Sequence, residues 1–407
     1  MSIMAKTPSI SKRGENAPAS AVRKLVPFAD EAKKRGTKVY HINIGDPDFE
    51  APIEIRKSIQ RLAKTEKRFP YSNSKGLKST IDAWVTYYKN IGIKLSSDDV
   101  IVTNGGSEAL ILISAALLDP GDEYIVFEPY YTNYKSFGNL VSAKPVPVAL
   151  DKKSGYHLPS DKEIEKKITK KTKAIYFTNP NNPTGTVFTK EEILRVIAIA
   201  KKHSLFLVSD EAYYGISFDG AKTYSVLQLA DEKMKQSIIV VDSVSKKLNV
   251  CGARVGAVVS KNKEVMDAVF RFAQGRLSPA YLEQMMIENL LKDPRKYVKE
   301  ITKAYKNRRD IFLETLEKEF NTKIHKPEGA FYTMVELPID DIDKFAKWLL
   351  TDFSYKGETV MVAPGTGFYA TAGKGKKEAR VAYVLNEKDL KKCAELLARA
   401  VKEYNSK

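Results

Sequence analysis

Three segments, each directly after a short apolar run, carry groups suited to binding a ligand. Residues 104–108 (Asn-Gly-Gly-Ser-Glu) combine glycines, which let a ligand approach the backbone, with a helix start whose N–H groups attract an anion. Residues 179–185 (Asn-Pro-Asn-Asn-Pro-Thr-Gly) form a rigid, amide-rich loop. Asp210 and Tyr213, an acid and a phenol, could grip two sides of an aromatic heterocycle. Each pattern also occurs in ordinary turns, so none alone identifies a site.

A fourth segment, residues 243–256, is more specific. It begins Ser-Val-Ser-Lys, so Lys246 follows a predicted strand and has hydroxyl groups one and three residues before it. After five more residues the chain continues Gly-Ala-Arg-Val-Gly, in which Arg254 offers the planar fork that binds phosphate through two hydrogen bonds. Ligands of open α/β sheets bind beyond the carboxyl ends of the strands, so we expect the four segments to meet at one ligand.

An alternation of strands and helices must position these segments. The predicted strands are the apolar runs at 100–103, 123–127, 145–148, 174–178, 205–209, 238–242 and 256–260, and two of the predicted helices lie at 107–118 and 190–203. Several runs hold Val and Ile at consecutive positions, which is typical of strands buried on both faces. The alternation predicts an α/β fold with a mostly parallel sheet flanked by helices.

Composition excludes several classes of function. The formal net charge is +17, but Lys and Arg are spread along the chain without a basic block, so we expect neither a nucleic-acid groove nor a nucleic-acid partner. The four histidines are not at metal-ligand spacing from another His or Cys, so we expect no metal. Two cysteines indicate a reducing compartment, and the lack of a membrane span or secretory signal predicts the cytoplasm.

Taken together, the motifs resemble those of the pyridoxal-5′-phosphate (PLP)-dependent class I/II aminotransferases, which have fold type I and belong to the aspartate aminotransferase superfamily. The loop at 179–185, the Asp210–Tyr213 pair, Lys246 and Arg254 occur in the family's order and at its separations. Further matches extend the resemblance over nearly the whole chain: residues 45–49 (Gly-Asp-Pro-Asp-Phe), 71–77 (Tyr-Ser-Asn-Ser-Lys-Gly-Leu), 329–332 (Gly-Ala-Phe-Tyr) and 380–382 (Arg-Val-Ala).

The resemblance implies a role for each matched residue around the cofactor ring. Lys246 would be the Schiff-base lysine and the general base and acid of the reaction. Asp210 would pair with the pyridine nitrogen of PLP, while Tyr213 and Asn182 would hydrogen-bond the phenolic oxygen. Tyr131 would stack on the ring face.

It also implies how the phosphate and the substrate are bound. The groups around the phosphate would be the amides of Gly106 and Ser107 and the side chains of Ser243, Ser245 and Arg254. Arg380 would bind the substrate α-carboxylate, assisted by Gly45 and Asn182. Tyr71 would reach the phosphate of a neighbouring subunit, which predicts a homodimer with two shared active sites.

The pattern of predicted strands and helices, together with the resemblance, divides the chain into three parts. Residues 1–50 would form an N-terminal arm and part of a small domain, residues 51–290 the large PLP-binding domain, and residues 291–407 the C-terminal small α+β domain, with strands near 330–336 and 379–385. Within the first part, residues 1–20 are polar and predict a disordered arm, followed by a helix at 20–35 and a strand at 39–44.

The predicted activity is transfer of an amino group from an L-amino acid, with aspartate as the best candidate, to a 2-oxo acid such as 2-oxoglutarate. One aspartate-using branch of the family carries a lysine after the Gly-Gly pair to meet the distal carboxylate, and this chain has Ser107 there. Two alternatives stay open. Motifs that hold PLP do not set the reaction type, so a carbon–sulfur lyase or another fold type I enzyme fits them, as does a non-catalytic PLP-binding regulator.

Overall fold

The computed structural model describes residues 8–406 of the chain, which form strands and helices in alternation. The strands are β1 Lys38–His41, β2 Val100–Thr103, β3 Glu123–Glu128, β4 Lys144–Ala149, β5 Thr172–Thr178, β6 Phe206–Asp210, β7 Ile238–Ser243, β8 Gly256–Val259, β9 Tyr332–Glu336, β10 Glu358–Met361, β11 Ala363–Pro364 and β12 Glu378–Ala382. The α-helices are α1 Lys12–Glu15, α2 Val26–Lys34, α3 Ile53–Thr65, α4 Lys78–Asn90, α5 Gly106–Leu117, α6 Asn133–Leu140, α7 Asp161–Glu165, α8 Lys190–Lys202, α9 Val226–Leu229, α10 Val244–Lys247, α11 Lys263–Gly275, α12 Tyr281–Lys292, α13 Arg295–Phe320, α14 Ile342–Thr351 and α15 Glu387–Asn405.

The largest sheet has seven strands in the order β2-β8-β7-β6-β5-β3-β4. Only β8 runs antiparallel to its neighbours, β2 and β7, and the other strands of this sheet are parallel. The predicted α/β fold with a mostly parallel sheet is therefore confirmed. Every residue of β2, β7 and β8 is buried, as expected of strands covered by helices on both faces.

The parallel strands bring the candidate motifs to one edge of this sheet. Strands β5, β6 and β7 are neighbours in register, with Thr178 opposite Asp210 and Asp210 opposite Val241. The loop at 179–185, the residues after Asp210 and helix α10 each follow the carboxyl end of one of these strands. A short sequence separation is not needed for this convergence, because the sheet register alone aligns the strand ends.

The two ends of the chain form smaller sheets. Strand β1 pairs in parallel with β10, and β9, β11 and β12 form an antiparallel sheet of three strands. Helices α13 and α15 pack against each other over these strands, and the buried residues there form an apolar cluster that includes Phe312, Leu349 and Leu397. Residues from both chain ends thus share one core.

Three sequence predictions for the chain ends differ from the structure. The predicted disordered arm at 1–20 is wrong for its described part, since helix α1 lies at Lys12–Glu15 and the Arg13 guanidinium donates to the Leu140 carbonyl. Residues 1–7 of that arm lie outside the described residues. The helix predicted at 20–35 begins only at Val26, and strands β10 and β11 were not predicted. In the part of the chain that is described, no helix is long and apolar enough to span a membrane.

Candidate active site

A cavity of about 560 Å³ opens at the carboxyl ends of β5, β6 and β7. Its walls include residues from both chain ends and from the large sheet. Of the residues predicted from the sequence to form the site, the ones that line this cavity are Gly45, Gly106, Ser107, Tyr131, Asn182, Asp210, Tyr213, Ser243, Ser245, Lys246, Arg254 and Arg380. Tyr71 does not line it, and its side chain is 81% exposed.

Lys246 lies on the short helix α10, which Ser243 caps by accepting a hydrogen bond from the Ser245 N–H. Its Nζ atom donates to the Gly45 carbonyl at 2.7 Å and lies 3.3 Å from Cys251 Sγ. No carboxylate within residues 8–406 forms an ion pair with this amine. A half-buried amine that faces a cavity without a carboxylate partner is a candidate for covalent chemistry.

The next residue, Lys247, points away from the cavity and has a different environment. Its Nζ atom lies 2.6 Å from Asp242 Oδ1 and donates to Tyr87 Oη at 2.9 Å, and both charged groups are 1% exposed. Tyr88 also donates to Asp242. The two successive lysines of α10 are therefore distinct, because only Lys246 faces the cavity.

Gly45 is required by close packing at the cavity wall. A β-carbon at this position would lie 1.8 Å from the Tyr332 hydroxyl oxygen and 2.9 Å from the Phe331 ring. Any larger residue would displace these rings from the cavity. The backbone of Gly45 is thus held where its carbonyl accepts the Lys246 hydrogen bond.

Asp210 ends strand β6 and is 7% exposed. One carboxylate oxygen accepts the Ala212 N–H at 3.2 Å, and the other accepts the Tyr134 hydroxyl at 3.4 Å. Burial raises the pKa of Asp210 to about 6, because charge is costly away from water and the nearby Asp242 repels it. A ligand cation beside this carboxylate would restore its charged form.

A chain of polar side chains crosses the cavity floor. Asn182 donates from Nδ2 to the Tyr213 hydroxyl at 3.4 Å, and the Tyr213 and Tyr332 hydroxyl oxygens lie 3.1 Å apart. All three residues are buried. Burial raises the pKa of Tyr213 well above its ordinary value, so this phenol is neutral and can donate a hydrogen bond.

Arg380 is a buried cation, 4% exposed, on strand β12. It donates from Nη1 to the Asn182 side-chain oxygen at 3.0 Å and from Nη2 to the Asn43 carbonyl at 2.5 Å. Its Nε atom is buried without a partner, and the rings of Tyr332 and Phe368 lie within 5 Å of the guanidinium carbon. Because a buried charge is costly unless it is paired, this group predicts an anionic ligand.

A second anion-binding environment lies at the start of helix α5. Gly105 precedes this helix with φ +82°, and no side chain caps the first N–H groups. The hydroxyl oxygens of Ser243 and Ser245 lie 2.9 Å apart, and Arg254 Nη1 lies 3.5 Å from Ser245 Oγ. Uncapped N–H groups, hydroxyls and a guanidinium together form a phosphate-binding donor set.

Tyr131 lines the cavity beside these groups. Its hydroxyl accepts a hydrogen bond of 2.9 Å from the Asn133 amide, and its ring meets the Tyr134 ring edge-on at 5.6 Å. The ring is thereby fixed in orientation at the cavity wall. This placement is compatible with stacking on a planar ligand.

The sequence did not identify several residues of the site, among them Arg23, Tyr134, Cys251 and Tyr332. Tyr332 is the last residue of the matched motif at 329–332, and this match was the signal that could have identified it. Tyr134 lies on helix α6, one turn beyond the Tyr130-Tyr131 pair, and contacts Asp210 only through the fold. Arg23 had no local signal, because it comes from a segment far away in sequence. Within residues 8–406 no cluster of His, Cys, Asp and Glu could hold a metal ion.

Comparison with known proteins gives one consistent result. Residues 37–397 match the family model described as aminotransferase class I and II. The chain is 31% identical to an aspartate aminotransferase of Pyrococcus horikoshii, with 86% of this chain and 88% of that protein covered.

Solved structures with the same fold carry more than one activity in their names. An alanine aminotransferase from Pyrococcus furiosus superposes with a TM-score of 0.87 at 31% identity, covering 97% of this chain and 100% of that one. The Thermus thermophilus aspartate aminotransferase with maleate gives a TM-score of 0.87 at 28% identity, with the same coverage.

Proposed function

The chain belongs to the class I and II aminotransferases and is a PLP-dependent amino-acid aminotransferase, and from this premise we propose a role for each group in the cavity. The observation that carries the proposal is the arrangement around Arg380. This buried guanidinium has an unpartnered Nε atom and shares one cavity with the amine of Lys246 and the carboxylate of Asp210. An anion site, an amine and an acid are the groups that an amino-acid substrate and PLP require.

The residues present fit PLP. Asp210 is buried with a raised pKa and has no cationic partner among residues 8–406, so a protonated ring nitrogen would complete it. When bound, PLP supplies an electron sink for the charge left on the substrate α-carbon. Asp210 would hold the proton at the ring nitrogen, and Tyr213 and Asn182 would donate hydrogen bonds to the phenolic oxygen. Tyr131 would cover one ring face.

The phosphate would be held by groups from two elements. The uncapped N–H groups of Gly106 and Ser107 begin helix α5, and Ser243, Ser245 and Arg254 lie around helix α10. Since these groups are positioned before any ligand arrives, the binding energy is not spent on ordering them.

Lys246 would attach the cofactor and then move the proton of the reaction. The Nζ atom faces the cavity, has no carboxylate partner and is oriented by the Gly45 carbonyl. As a general base it would remove the proton from the substrate α-carbon, and as a general acid it would return that proton at the cofactor carbon. Lys247 cannot substitute, because its amine is held by Asp242 on the other side of the helix.

Arg380 would bind the substrate α-carboxylate through two parallel hydrogen bonds, with Asn182 and Gly45 assisting. Fixing this carboxylate fixes which bond to the α-carbon is aligned for cleavage. The alignment favours loss of the proton over loss of carbon dioxide. The unpartnered Nε atom of Arg380 supplies a donor for the bound carboxylate.

We propose aspartate as amino donor and 2-oxoglutarate as acceptor. The similarity to chains named aspartate aminotransferase supports this choice, while the equally similar alanine aminotransferase shows that the shared fold does not decide it. The discriminating group must therefore lie in the substrate end of the cavity.

The proposed assembly is a cytoplasmic homodimer with shared sites. Tyr71 is the most exposed large hydrophobic side chain in the described chain, which argues against a packing role within its own subunit. An exposed phenol in this position is available to the phosphate of a second subunit. The proposed domains are residues 1–50, 51–290 and 291–407, with the cavity between the sheet of the second part and the two chain ends.

The proposed function is tested with an amino-donor screen. The PLP-loaded protein is mixed with 2-oxoglutarate and each L-amino acid, and the two products, glutamate and the 2-oxo acid of the donor, are quantified. We expect glutamate to form in equal amount to the 2-oxo acid of the donor. Release of ammonia and pyruvate without glutamate, as a carbon–sulfur lyase would give with cysteine, would contradict the proposal.

A further inference from the structure

One positive charge at the cavity is not used by the reaction described above. The cationic side chains that line the cavity are Arg23, Lys246, Arg254 and Arg380. In the proposed function Lys246 attaches the cofactor, Arg254 binds its phosphate and Arg380 binds the α-carboxylate. Arg23 therefore has no assigned partner in the cofactor or in the α-amino and α-carboxylate groups that all amino acids share.

The guanidinium of Arg23 is also without a partner in the protein. Its backbone N–H donates to the carbonyl and the hydroxyl oxygen of Ser20, both at 3.2 Å, and its carbonyl accepts the Val26 N–H at 3.0 Å. Its side chain makes no hydrogen bond or ion pair with any of residues 8–406 and is exposed at the cavity mouth. An unpaired cation at a cavity mouth attracts anionic groups of a ligand.

The segment that carries this arginine is fixed relative to Arg380. Asn43 joins the two: its carbonyl accepts the Arg380 guanidinium at 2.5 Å, and its side-chain amide donates to the Val22 carbonyl at 3.4 Å. On the other side, Ala21 packs so closely on Gly367 that a β-carbon there would lie 2.0 Å from the Ala21 β-carbon. The backbone of Arg23, which follows Val22, is therefore held in a fixed position relative to the proposed α-carboxylate site.

The remaining groups near the cavity mouth do not compete for this role. Ser107, Thr132 and Asn133 line the cavity and are neutral. Asp46 lines it too, but its exposed carboxylate is screened by water and would repel a second carboxylate rather than bind one. Arg23 is the cation with a free guanidinium among the described lining residues.

We infer that Arg23 is a specificity-determining residue that binds the distal carboxylate of a dicarboxylic amino acid, such as aspartate or glutamate. This inference rests on the proposed function. The substrate is held at its α-carboxylate by Arg380 and at its distal carboxylate by Arg23, whose planar fork donates two parallel hydrogen bonds. A neutral side chain of the same size gains nothing from this contact.

The test compares amino acids that differ only in the distal charge. For the PLP-loaded enzyme, kcat/KM is measured with aspartate against asparagine and with glutamate against glutamine. In Arg23→Gln we expect the values for both acids to fall about tenfold or more, the scale of one charge-assisted hydrogen bond, and those for both amides to stay within about twofold. Lys33→Gln, which removes the same charge from a solvent-facing position on α2, is the matched control and should preserve all four values.

A binding measurement separates recognition from turnover. The dissociation constant of succinate, a dicarboxylate that cannot react, is measured by calorimetry on the holoenzyme, with propionate for comparison. Arg23→Gln should weaken succinate about tenfold and leave propionate unchanged.

Four outcomes would overturn either the inference or the proposed function. Equal losses for acids and amides in Arg23→Gln, or an unchanged preference for acids, would show that Arg23 does not select the substrate, while the transaminase activity would stand. A wild-type enzyme that prefers the amides would overturn the inference in the same way. A wild-type enzyme that converts no amino acid to its 2-oxo acid would instead overturn the proposed function.

Discussion

The Nη1 atom of Arg380 donates a hydrogen bond of 3.0 Å to the side-chain oxygen of Asn182. The amide nitrogen of the same asparagine donates to the Tyr213 hydroxyl at 3.4 Å, so both ends of the amide are engaged. Asn182 therefore connects the proposed substrate carboxylate site to the proposed cofactor site through one oriented group.

The first prediction follows from this orientation. Asn182→Asp places a carboxylate of nearly the same shape against the buried guanidinium, where it forms the ion pair that the substrate would otherwise form. We expect KM for every amino acid to rise by about tenfold or more, because the substrate must displace a bound anion. Steady-state kinetics check this. Asn182→Ala is the control, since it lacks the charge and should raise KM less; equal effects would show that competition for Arg380 does not occur.

The second prediction concerns Asp210. Its pKa of about 6 in the unliganded protein means that the carboxyl is protonated below that pH and must lose the proton before it can pair with a ring nitrogen. PLP affinity of the apoenzyme should therefore decrease as pH falls through about 6. The dissociation constant is measured by absorbance from pH 5 to 8.

Asp210→Asn serves as the matched control for this titration. The amide cannot ionise, so the part of the pH dependence that belongs to Asp210 should vanish while titration of the cofactor itself remains. Turnover should drop by an amount corresponding to about 3 kcal/mol or more, the scale of a preorganised electrostatic partner. An unchanged pH profile with near-normal turnover would mean that another group serves the ring nitrogen.

The site residues at strand ends were predictable from the sequence, because the strands that carry them can be recognised from their apolar runs. The run at 238–242 is rich in Val and Ile and the run at 174–178 is largely apolar and aromatic, and the structure has strands at Thr172–Thr178 and Ile238–Ser243. The residues that follow parallel strands necessarily meet at one sheet edge. Lys246, Asp210 and the loop at 179–185 were placed in this way.

The third prediction uses Glu211, which is buried and accepts hydrogen bonds from Ser209 and the Val226 N–H, both at 3.1 Å. Burial raises the pKa of Glu211 from 4.5 to about 8. Between these values the unfolded chain has released the proton while the folded protein retains it, so stability falls as pH rises. The loss begins near pH 4.5 and is complete above about pH 8.

Glu211→Gln removes this titration and keeps the shape of the protonated acid. The free energy of unfolding of the variant, relative to the wild type, should therefore increase between pH 5 and 8, by several kcal/mol on a scale of about 1.4 kcal/mol per pKa unit. Urea denaturation at a series of pH values measures it. If the free energy of unfolding depended on pH in the same way in the two proteins, Glu211 would be ionised at neutral pH in the folded state.

The fourth prediction concerns assembly and Tyr71. Tyr71→Phe should weaken PLP retention by about 0.5–3 kcal/mol, the range for one hydrogen bond between its neutral, exposed and its charged, buried limits. Tyr71→Glu, which sets a negative charge against the phosphate, should abolish activity. Mixing it with inactive Lys246→Ala should restore activity, because a hybrid dimer contains one site with both residues intact. A monomer at working concentration, or subunit exchange without recovery, would contradict the shared site.

The parts of the fold and site that the sequence did not predict depend on contacts between distant segments. Strand β10 at Glu358–Met361 has only four residues and is stabilised by pairing with β1, about 320 positions earlier. Tyr332 and Arg23 likewise reach the cavity because the two chain ends fold together. No local pattern encodes such pairing, so neither the burial of Tyr332 nor the position of Arg23 at the cavity was visible in composition or periodicity.

The proposed chemistry requires that the cofactor attaches to Lys246 and not to its neighbour Lys247. The holoenzyme is reduced with borohydride, digested, and the peptides are fragmented in a mass spectrometer to locate the cofactor-derived mass. We expect this mass on Lys246 alone, none on Lys247, whose amine is paired with Asp242, and none anywhere in Lys246→Ala. Attachment at any other lysine, or an unlabelled Lys246 in a fully loaded and active enzyme, would contradict it.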